Sequence, residues 1–125
     1  MQLSFAEIDG DVRRLNLAGN LDIAGTLAVE TKVLAHCGGE QPLVLIGLAE
    51  TLFVSSLGIR LLLQAIKTVA ARGGRLFLLN PSAPVASVLD IAGLDSHIFR
   101  GGEADAAAAL RQKQSTNPSM PEKSP

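Results

Sequence analysis

Residues 53–60 read Phe53-Val54-Ser55-Ser56-Leu57-Gly58-Ile59-Arg60, and this stretch decides the fold. A strand and its loop end at the serine pair, and a long amphipathic helix begins there. The first turn of a helix carries unpaired N–H groups and the positive end of the helix dipole, which stabilise an anion or a phosphorylated serine. Helical periodicity places Ser56 on the polar face with Arg60, whereas Ser55 lies in phase with the core and is expected to be the N-cap. The pattern predicts a structural Ser55 and a solvent-facing Ser56 that suits phosphorylation.

Strands and helices alternate on both sides of this stretch. Two short runs, 2–8 and 12–18, flank Asp9-Gly10 and predict a β-hairpin. The predicted elements that follow are a helix over about 24–37 capped by Asp22, a strand over 43–46, the helix after the serine pair, a strand over 76–79, a short helix ended by Gly93, a short strand over 97–99 and an Ala-rich helix over 103–113. This order predicts an α/β fold whose mixed sheet starts with a hairpin and is covered by about four helices.

The apolar stripe of each helix predicts the face that packs on the sheet. The residues expected to point inward are Leu27 and Leu34 in the first helix, Ile59, Leu62, Leu63, Ile66, Val69 and Ala70 in the second, Val85, Val88, Leu89 and Ala92 in the third, and the alanines with Leu110 in the last. The uninterrupted run 43–46, Leu-Val-Leu-Ile, indicates a central strand covered on both faces.

Length and composition predict one globular domain over 1–112, followed by a disordered tail over 113–125 that offers little to bury. Trp and Tyr are absent and the formal net charge is −1. The chain therefore lacks an aromatic platform and a basic field for nucleic acid. The longest mostly apolar run, 57–71, is interrupted by charge and is shorter than the ~20 residues that span a bilayer. No export signal is recognisable and Cys37 is the single cysteine, so we expect a cytoplasmic protein.

Several reactive residues are better explained by structure than by chemistry. Asp9 and Asp11 flank a turn glycine and Asp22 suits a cap, so no metal site of recognised ligand spacing is predicted. The pair His36-Cys37 is interpreted as packing at a helix end with a buried thiol.

Enzymatic interpretations lack their characteristic motifs. A hydrolase triad of Ser56, His97 and Asp22 would need a Gly-x-Ser-x-Gly elbow, which is missing. A phospho-aspartate receiver domain is disfavoured because strand 42–46 ends in Gly47-Leu48 without an acceptor aspartate. No glycine-rich nucleotide loop occurs, so we expect a non-enzymatic chain without a cofactor.

Two motifs in register resemble the STAS domain family of anti-sigma factor antagonists. Residues 53–62 are similar to the family's Asp/Ser-Ser-x-Gly-Leu stretch between strand and helix, and Gly19-Asn20-Leu21-Asp22 resembles its Gly-Glu-Leu-Asp turn. The resemblance extends over residues 1 to about 112. This chain has Ser55 where an Asp often stands, and Leu57 where a small Ser or Ala follows the switch serine.

The resemblance implies a regulatory role. The unphosphorylated protein would bind an anti-sigma factor that is also a serine kinase of the histidine-kinase-like ATPase type. Phosphorylation of Ser56 would release the complex, and a PP2C-type phosphatase would restore it. The alternative is a STAS scaffold that does not cycle a phosphate, such as a stressosome component or a small lipid-transporter subunit. The oligomeric state stays open, with a weak homodimer as one alternative.

The partner surface is expected to combine the start of the second helix with the Asp22 loop. Its predicted residues are Asp22, Ser55, Ser56, Leu57, Gly58, Arg60 and Gln64.

Overall fold

The structure, a computed structural model, describes residues 1–115 and contains six strands and four α-helices in that range. The strands are β1 Gln2–Ile8, β2 Val12–Leu21, β3 Leu43–Gly47, β4 Thr51–Val54, β5 Arg75–Leu79 and β6 Ile98–Phe99. The helices are α1 Ile23–Ala35, α2 Ser56–Ala71, α3 Ala83–Ile91 and α4 Glu103–Ser115, and a 3-10 turn at Asp95–His97 precedes β6. The predicted α/β fold with a mixed sheet and four helices is confirmed.

The sheet has the strand order β1-β2-β3-β5-β6. β1 and β2 form the predicted antiparallel hairpin, and β2, β3, β5 and β6 are parallel neighbours. β2 is long enough to pair with two strands: its first half pairs with β3, and its last residues pair with β4. The end of β2 and the start of α2 are therefore held together by β4.

The two faces of the sheet carry separate cores. Alternate residues of β3 point to opposite faces, as expected for a strand buried on both sides, because Val44 and Ile46 join one cluster and Leu43 and Leu45 the other. α1, α2 and α3 cover the first cluster. α4 covers the second with its alanines and Leu110, as predicted.

Two ion-pair groups tie α4 to the hairpin. Arg14 Nη1 lies 2.7 Å from Glu103 Oε2 at the helix start. Further along, Arg111 Nε donates to Asp11 Oδ2 at 2.7 Å, and Arg111 Nη2 lies 3.4 Å from Asp9 Oδ2. Asp9 and Asp11 thus have a structural partner on α4.

The inward faces of three helices differ from the prediction. Leu27 of α1, Ala70 of α2, Val88 of α3 and Ala92, which follows α3 as its C-cap, are exposed, so their assignment to the core was wrong. The buried residues of α2 are instead Gly58, Leu61, Leu62, Ala65, Ile66 and Val69, with Ile59 and Leu63 half-buried. The buried face of α2 is therefore rotated from the predicted stripe toward Leu61 and Ala65, with Gly58 at its start packed against Leu21 and Val54.

Several boundaries also shift. β2 continues three residues past the predicted 18, α1 ends two residues before the predicted 37, and of the predicted strand 97–99 only Ile98–Phe99 is extended. The sequence did not separate β4 from the loop before the serine pair. α4 continues to Ser115, beyond the predicted domain end at 112, and the rest of the predicted tail, 116–125, lies outside the described residues.

Candidate functional site

Ser56 is the first residue of α2, and its side chain is exposed. Ser55 precedes it as the N-cap with extended backbone (φ −83°, ψ 174°). The Ser55 Oγ accepts a hydrogen bond from the Gly58 N–H at 3.2 Å, which satisfies one of the unpaired donors of the first turn. The predicted placement of the two serines is therefore confirmed: Ser55 caps α2 and Ser56 faces solvent.

Ser55 is also held from the other side. Its Oγ donates to the Leu21 carbonyl at 2.8 Å, and its backbone N–H donates to the same oxygen at 2.9 Å. Both the proton and an acceptor lone pair of this hydroxyl are therefore engaged within the fold. Ser55 locks the start of α2 to the end of β2, and Ser56 is the serine of the pair that reaches solvent.

Gly58 permits the close contact between the start of α2 and the end of β2. A Cβ at this position would lie 2.8 Å from the Leu21 carbonyl oxygen, 3.0 Å from Leu21 Cβ and 3.0 Å from Val54 Cγ1. These distances are shorter than ordinary van der Waals contact. Gly58 therefore serves the geometry of the site, whereas Leu57 beside it is half-buried.

The Asp22 loop adjoins the serine pair through Leu21. Asp22 is the N-cap of α1, as predicted, and its Oδ1 accepts from the Gly25 N–H at 2.8 Å. Because Asp22 follows the residue that Ser55 bonds to, the N-termini of α1 and α2 begin on either side of one backbone junction. Neither helix carries an acidic residue within its first turn, so Ser56 lies at a helix dipole that no such carboxylate compensates.

The polar face of α2 continues from Ser56 to Arg60 and Gln64, which follow at four-residue intervals and are exposed. Arg60, Gln64 and Lys67 line a shallow groove along this face. The structure therefore places Ser56, Arg60 and Gln64 on one exposed side of the helix, whereas Gly58, which was also predicted for the partner surface, is buried and Leu57 is half-buried. The roles predicted for them in partner binding remain predictions.

The other candidate residues lie in structural roles. Arg111 donates to Asp11 and lowers the pKa of that carboxyl below its usual value. Burial raises the pKa of the Cys37 thiol to about 11, and the His36 ring stacks on Phe5 with centroids 4.2 Å apart. Among residues 1–115, no three His, Cys, Asp or Glu side chains are grouped so that they could hold a metal ion.

No hydrogen bond or ion pair within residues 1–115 connects Ser56 to His97 or to Asp22, whose Oδ1 is engaged in capping. No helix in that same range has the length and apolar character needed to cross a membrane.

Three large apolar side chains near the start of α2 are exposed, which was not predicted from the sequence. Leu52 and Phe53 of β4 and Ile23 at the start of α1 are all more than half exposed. Ile23 follows directly after the predicted cap Asp22, so the cap position could have indicated an exposed first turn. β4 gave no such signal, because both of its central residues are apolar and exposed.

Comparisons with known proteins agree on one family. The STAS domain family model matches residues 5–108. A comparison with curated protein sequences found no match. Among solved structures, the anti-sigma factor antagonist SpoIIAA in its unphosphorylated form has a TM-score of 0.77 at 23% identity, over 89% of this chain and 97% of that chain. The phosphorylated form of the Bacillus cell fate determinant SpoIIAA has a TM-score of 0.71 at 22% identity, over 88% of this chain and 100% of that chain.

A transporter module has the same fold. The murine anion transporter Slc26a9 matches with a TM-score of 0.68 at 21% identity, and the match covers 86% of this chain but only 19% of the transporter. At these identities the likeness establishes a shared fold, and the function has to be argued from the site.

Proposed function

We propose, from the premise that this chain belongs to the STAS domain family, that it acts as an anti-sigma factor antagonist switched by phosphorylation of Ser56. In the unphosphorylated state it binds an anti-sigma factor that is also a serine kinase of the histidine-kinase-like ATPase type. The observation that carries this proposal is the contrast within the serine pair: Ser56 is exposed at the start of α2, while the Ser55 hydroxyl is engaged on both sides.

The helix start suits a phosphoserine. A phosphoryl group would bring a charge of about −1.5 to −2 at pH 7 to the positive end of the α2 dipole. Arg60 follows one turn later on the same face and adds a positive charge. Since the first turn of α2 contains no carboxylate to repel the phosphate, the modification should leave the fold intact and act on the docked partner.

The chain is the substrate of this chemistry and not its catalyst. The kinase would supply the phosphoryl group, and a PP2C-type phosphatase would remove it. Regulation then consists of binding and release, with Asp22, Arg60 and Gln64 contributing to the surface that the partner contacts.

A second candidate is a STAS module that binds its partner constitutively. The similarity to part of an anion transporter supports it, because the same fold occurs there within a larger protein. The two functions differ in one observable, which is whether a kinase modifies Ser56.

The test is incubation of the full chain with a histidine-kinase-like serine kinase encoded beside it and ATP, followed by intact-mass measurement. We expect the addition of one phosphoryl group, its loss in Ser56→Ala and its retention in Ser55→Ala. A PP2C-type phosphatase should then reverse it. Modification of Ser55 in place of Ser56, or no modification of either, would refute the switch and favour the constitutive module.

A further inference from the structure

A groove runs between α3 and the edge strand β6, on the side of α3 that faces away from Ser56. One flank of α3 packs toward β4, the strand that ends two residues before Ser56. The groove lies along the other flank and has a volume of about 530 Å³. Its lining, here called the α3–β6 groove, includes Ala83, Ala86 and Asp90 of α3, Asp95 of the 3-10 turn, and Ile98 and Arg100 at β6.

The backbone of β6 is open along this groove. Within residues 1–115, β6 is the last strand of the sheet and pairs with β5. The Phe99 carbonyl accepts from the Asn80 N–H at 2.9 Å, so the polar backbone groups of Phe99 face β5. Because successive residues of a strand direct these groups to opposite sides, those of Ile98 and Arg100 face the open edge.

The groups at the open edge favour one direction for an added strand. The Ile98 N–H already donates to the Asp95 carbonyl, which leaves the Ile98 carbonyl and the Arg100 N–H. A single residue lying opposite Phe99 in a parallel strand donates to the first and accepts from the second. β6 is only two residues long, so the backbone offers this one pair of bonds and the side chains of the groove must supply the rest of the recognition.

The two ends of the groove carry opposite charge. At one end Arg100 Nη1 lies 3.4 Å from the Pro81 carbonyl oxygen, beside the start of α3. The first turn of α3 contains no acidic residue and its N-cap Ser82 makes no side-chain hydrogen bond, so the helix dipole adds to the positive charge there. Asp90 and Asp95 lie at the other end, where α3 finishes.

These charges select the kind of partner. None of Arg100, Asp90 and Asp95 forms an ion pair within residues 1–115. Two carboxylates beside one guanidinium disfavour a nucleic acid or an anionic membrane, which need a surplus of basic residues. An extended peptide with a base at the aspartates and an acid at Arg100 complements the groove.

The alternation of the strand fixes the spacing of such a peptide. Ile98 packs on the core beneath α3 and Phe99 on the core beneath α4, so side chains level with Ile98 and Arg100 face the groove. The acid is then level with Arg100, an apolar residue is level with Ile98, and the base lies two residues earlier, next to Asp95. The pattern base-x-apolar-x-acid spans about 13 Å in an extended chain.

We propose that the α3–β6 groove binds an extended segment of a partner protein with the pattern base-x-apolar-x-acid, added parallel to β6. This site goes beyond the proposed function, because it is separate from Ser56 and does not depend on phosphorylation. It allows one chain to hold a second protein through strand addition.

A synthetic peptide tests the charge recognition. The probe is fluorescein-labelled Ser-Lys-Thr-Val-Thr-Glu-Ser, titrated with the full chain in fluorescence anisotropy. We expect saturable binding, at least about threefold weaker for the peptide with Lys and Glu exchanged. Arg100→Glu should reduce this preference to within about twofold, whereas the control Arg72→Glu, an exposed arginine outside the groove, should keep it. No saturable binding, or equal binding of the two peptides to the original chain, would overturn the proposal.

Backbone methylation tests the strand addition. N-methylation of the second Thr of the probe removes the donor for the Ile98 carbonyl and should weaken binding at least about fivefold. N-methylation of the Val is the matched control, because its N–H points away from β6, and the loss should be less than about twofold. In ¹H–¹⁵N spectra the Arg100 amide should shift on titration. Equal losses from the two methylations, or an unmoved Arg100 amide, would refute the addition to β6.

The remaining outcomes separate this site from the Ser56 switch and from self-association. Ser56→Asp should bind the probe within about twofold of the original chain, since the groove lies on the other flank of α3. Failure of the probe therefore leaves the switch untouched, and an unmodified Ser56 leaves the groove untouched. Self-association in sedimentation that Arg100→Glu abolishes would assign the groove to a second copy and overturn the proposal.

Discussion

Gly58→Ala should destabilise the protein although alanine is the better helix former. The new Cβ would meet the Leu21 carbonyl oxygen at 2.8 Å and Val54 Cγ1 at 3.0 Å, so α2 must move away from β2 and β4. Overpacking of this kind costs about 1–3 kcal/mol, against a gain of up to ~1 kcal/mol in helix propensity. We expect a net loss of about 1–2 kcal/mol and a fall in Tm of about 3–10 °C.

Urea unfolding followed by far-UV circular dichroism measures this loss, and Gly38→Ala is the control. At Gly38 the nearest atom to an added Cβ is the Ala35 carbonyl oxygen at 4.0 Å, so that variant should stay within about 0.5 kcal/mol of the original. A Gly58→Ala protein as stable as the Gly38→Ala control would refute the tight junction between α2 and the end of β2.

Three further predictions concern the serine pair and the buried thiol. Ser56→Asp should keep Tm within a few degrees of the original or raise it, since an acid at a helix start contributes about 0.3–1 kcal/mol, and a fall of ten degrees or more in calorimetry would show that Ser56 is structural. Ser55→Ala should cost about 1–2 kcal/mol in urea unfolding because both hydrogen bonds of the hydroxyl are lost, and an unchanged midpoint would disprove the cap. For Cys37, burial raises the folded pKa to about 11 from 9.0, so its contribution to stability is complete below pH 9 and declines as the pH rises toward 11. The urea midpoint should therefore fall more between pH 9 and 11 in the original chain than in Cys37→Ala, and equal slopes would contradict this.

Helix periodicity and local capping rules were sufficient to place the two serines. Ser55 and Asp22 each cap the helix that follows them, and Ser56 falls on the polar face with Arg60, because these features depend on near neighbours in the sequence. The strand over 43–46 was equally evident, since an unbroken apolar run requires cover on both faces.

Features that depend on distant partners could not be predicted in the same way. β4 is extended because the far end of β2 offers it a partner, and its four residues carry no alternation of their own. The inward face of α2 is set by the fit of Gly58 against Leu21 and Val54, contacts that join residues far apart in the chain. Leu27 of α1 and Val88 of α3 are likewise exposed, because the elements that bury one face of each helix lie far away in the chain.

The central claim is that one phosphate on Ser56 ends partner binding and leaves the fold unchanged. The most direct measurement compares the affinity of the kinase for the unphosphorylated chain and for the chain phosphorylated on Ser56, with Tm recorded for both. We predict a loss of at least about 30-fold in affinity, since an unpaired charge in an interface costs about 2–5 kcal/mol, with Tm equal or higher in the phosphorylated protein. Equal affinities, or a loss of affinity accompanied by unfolding, would contradict the account.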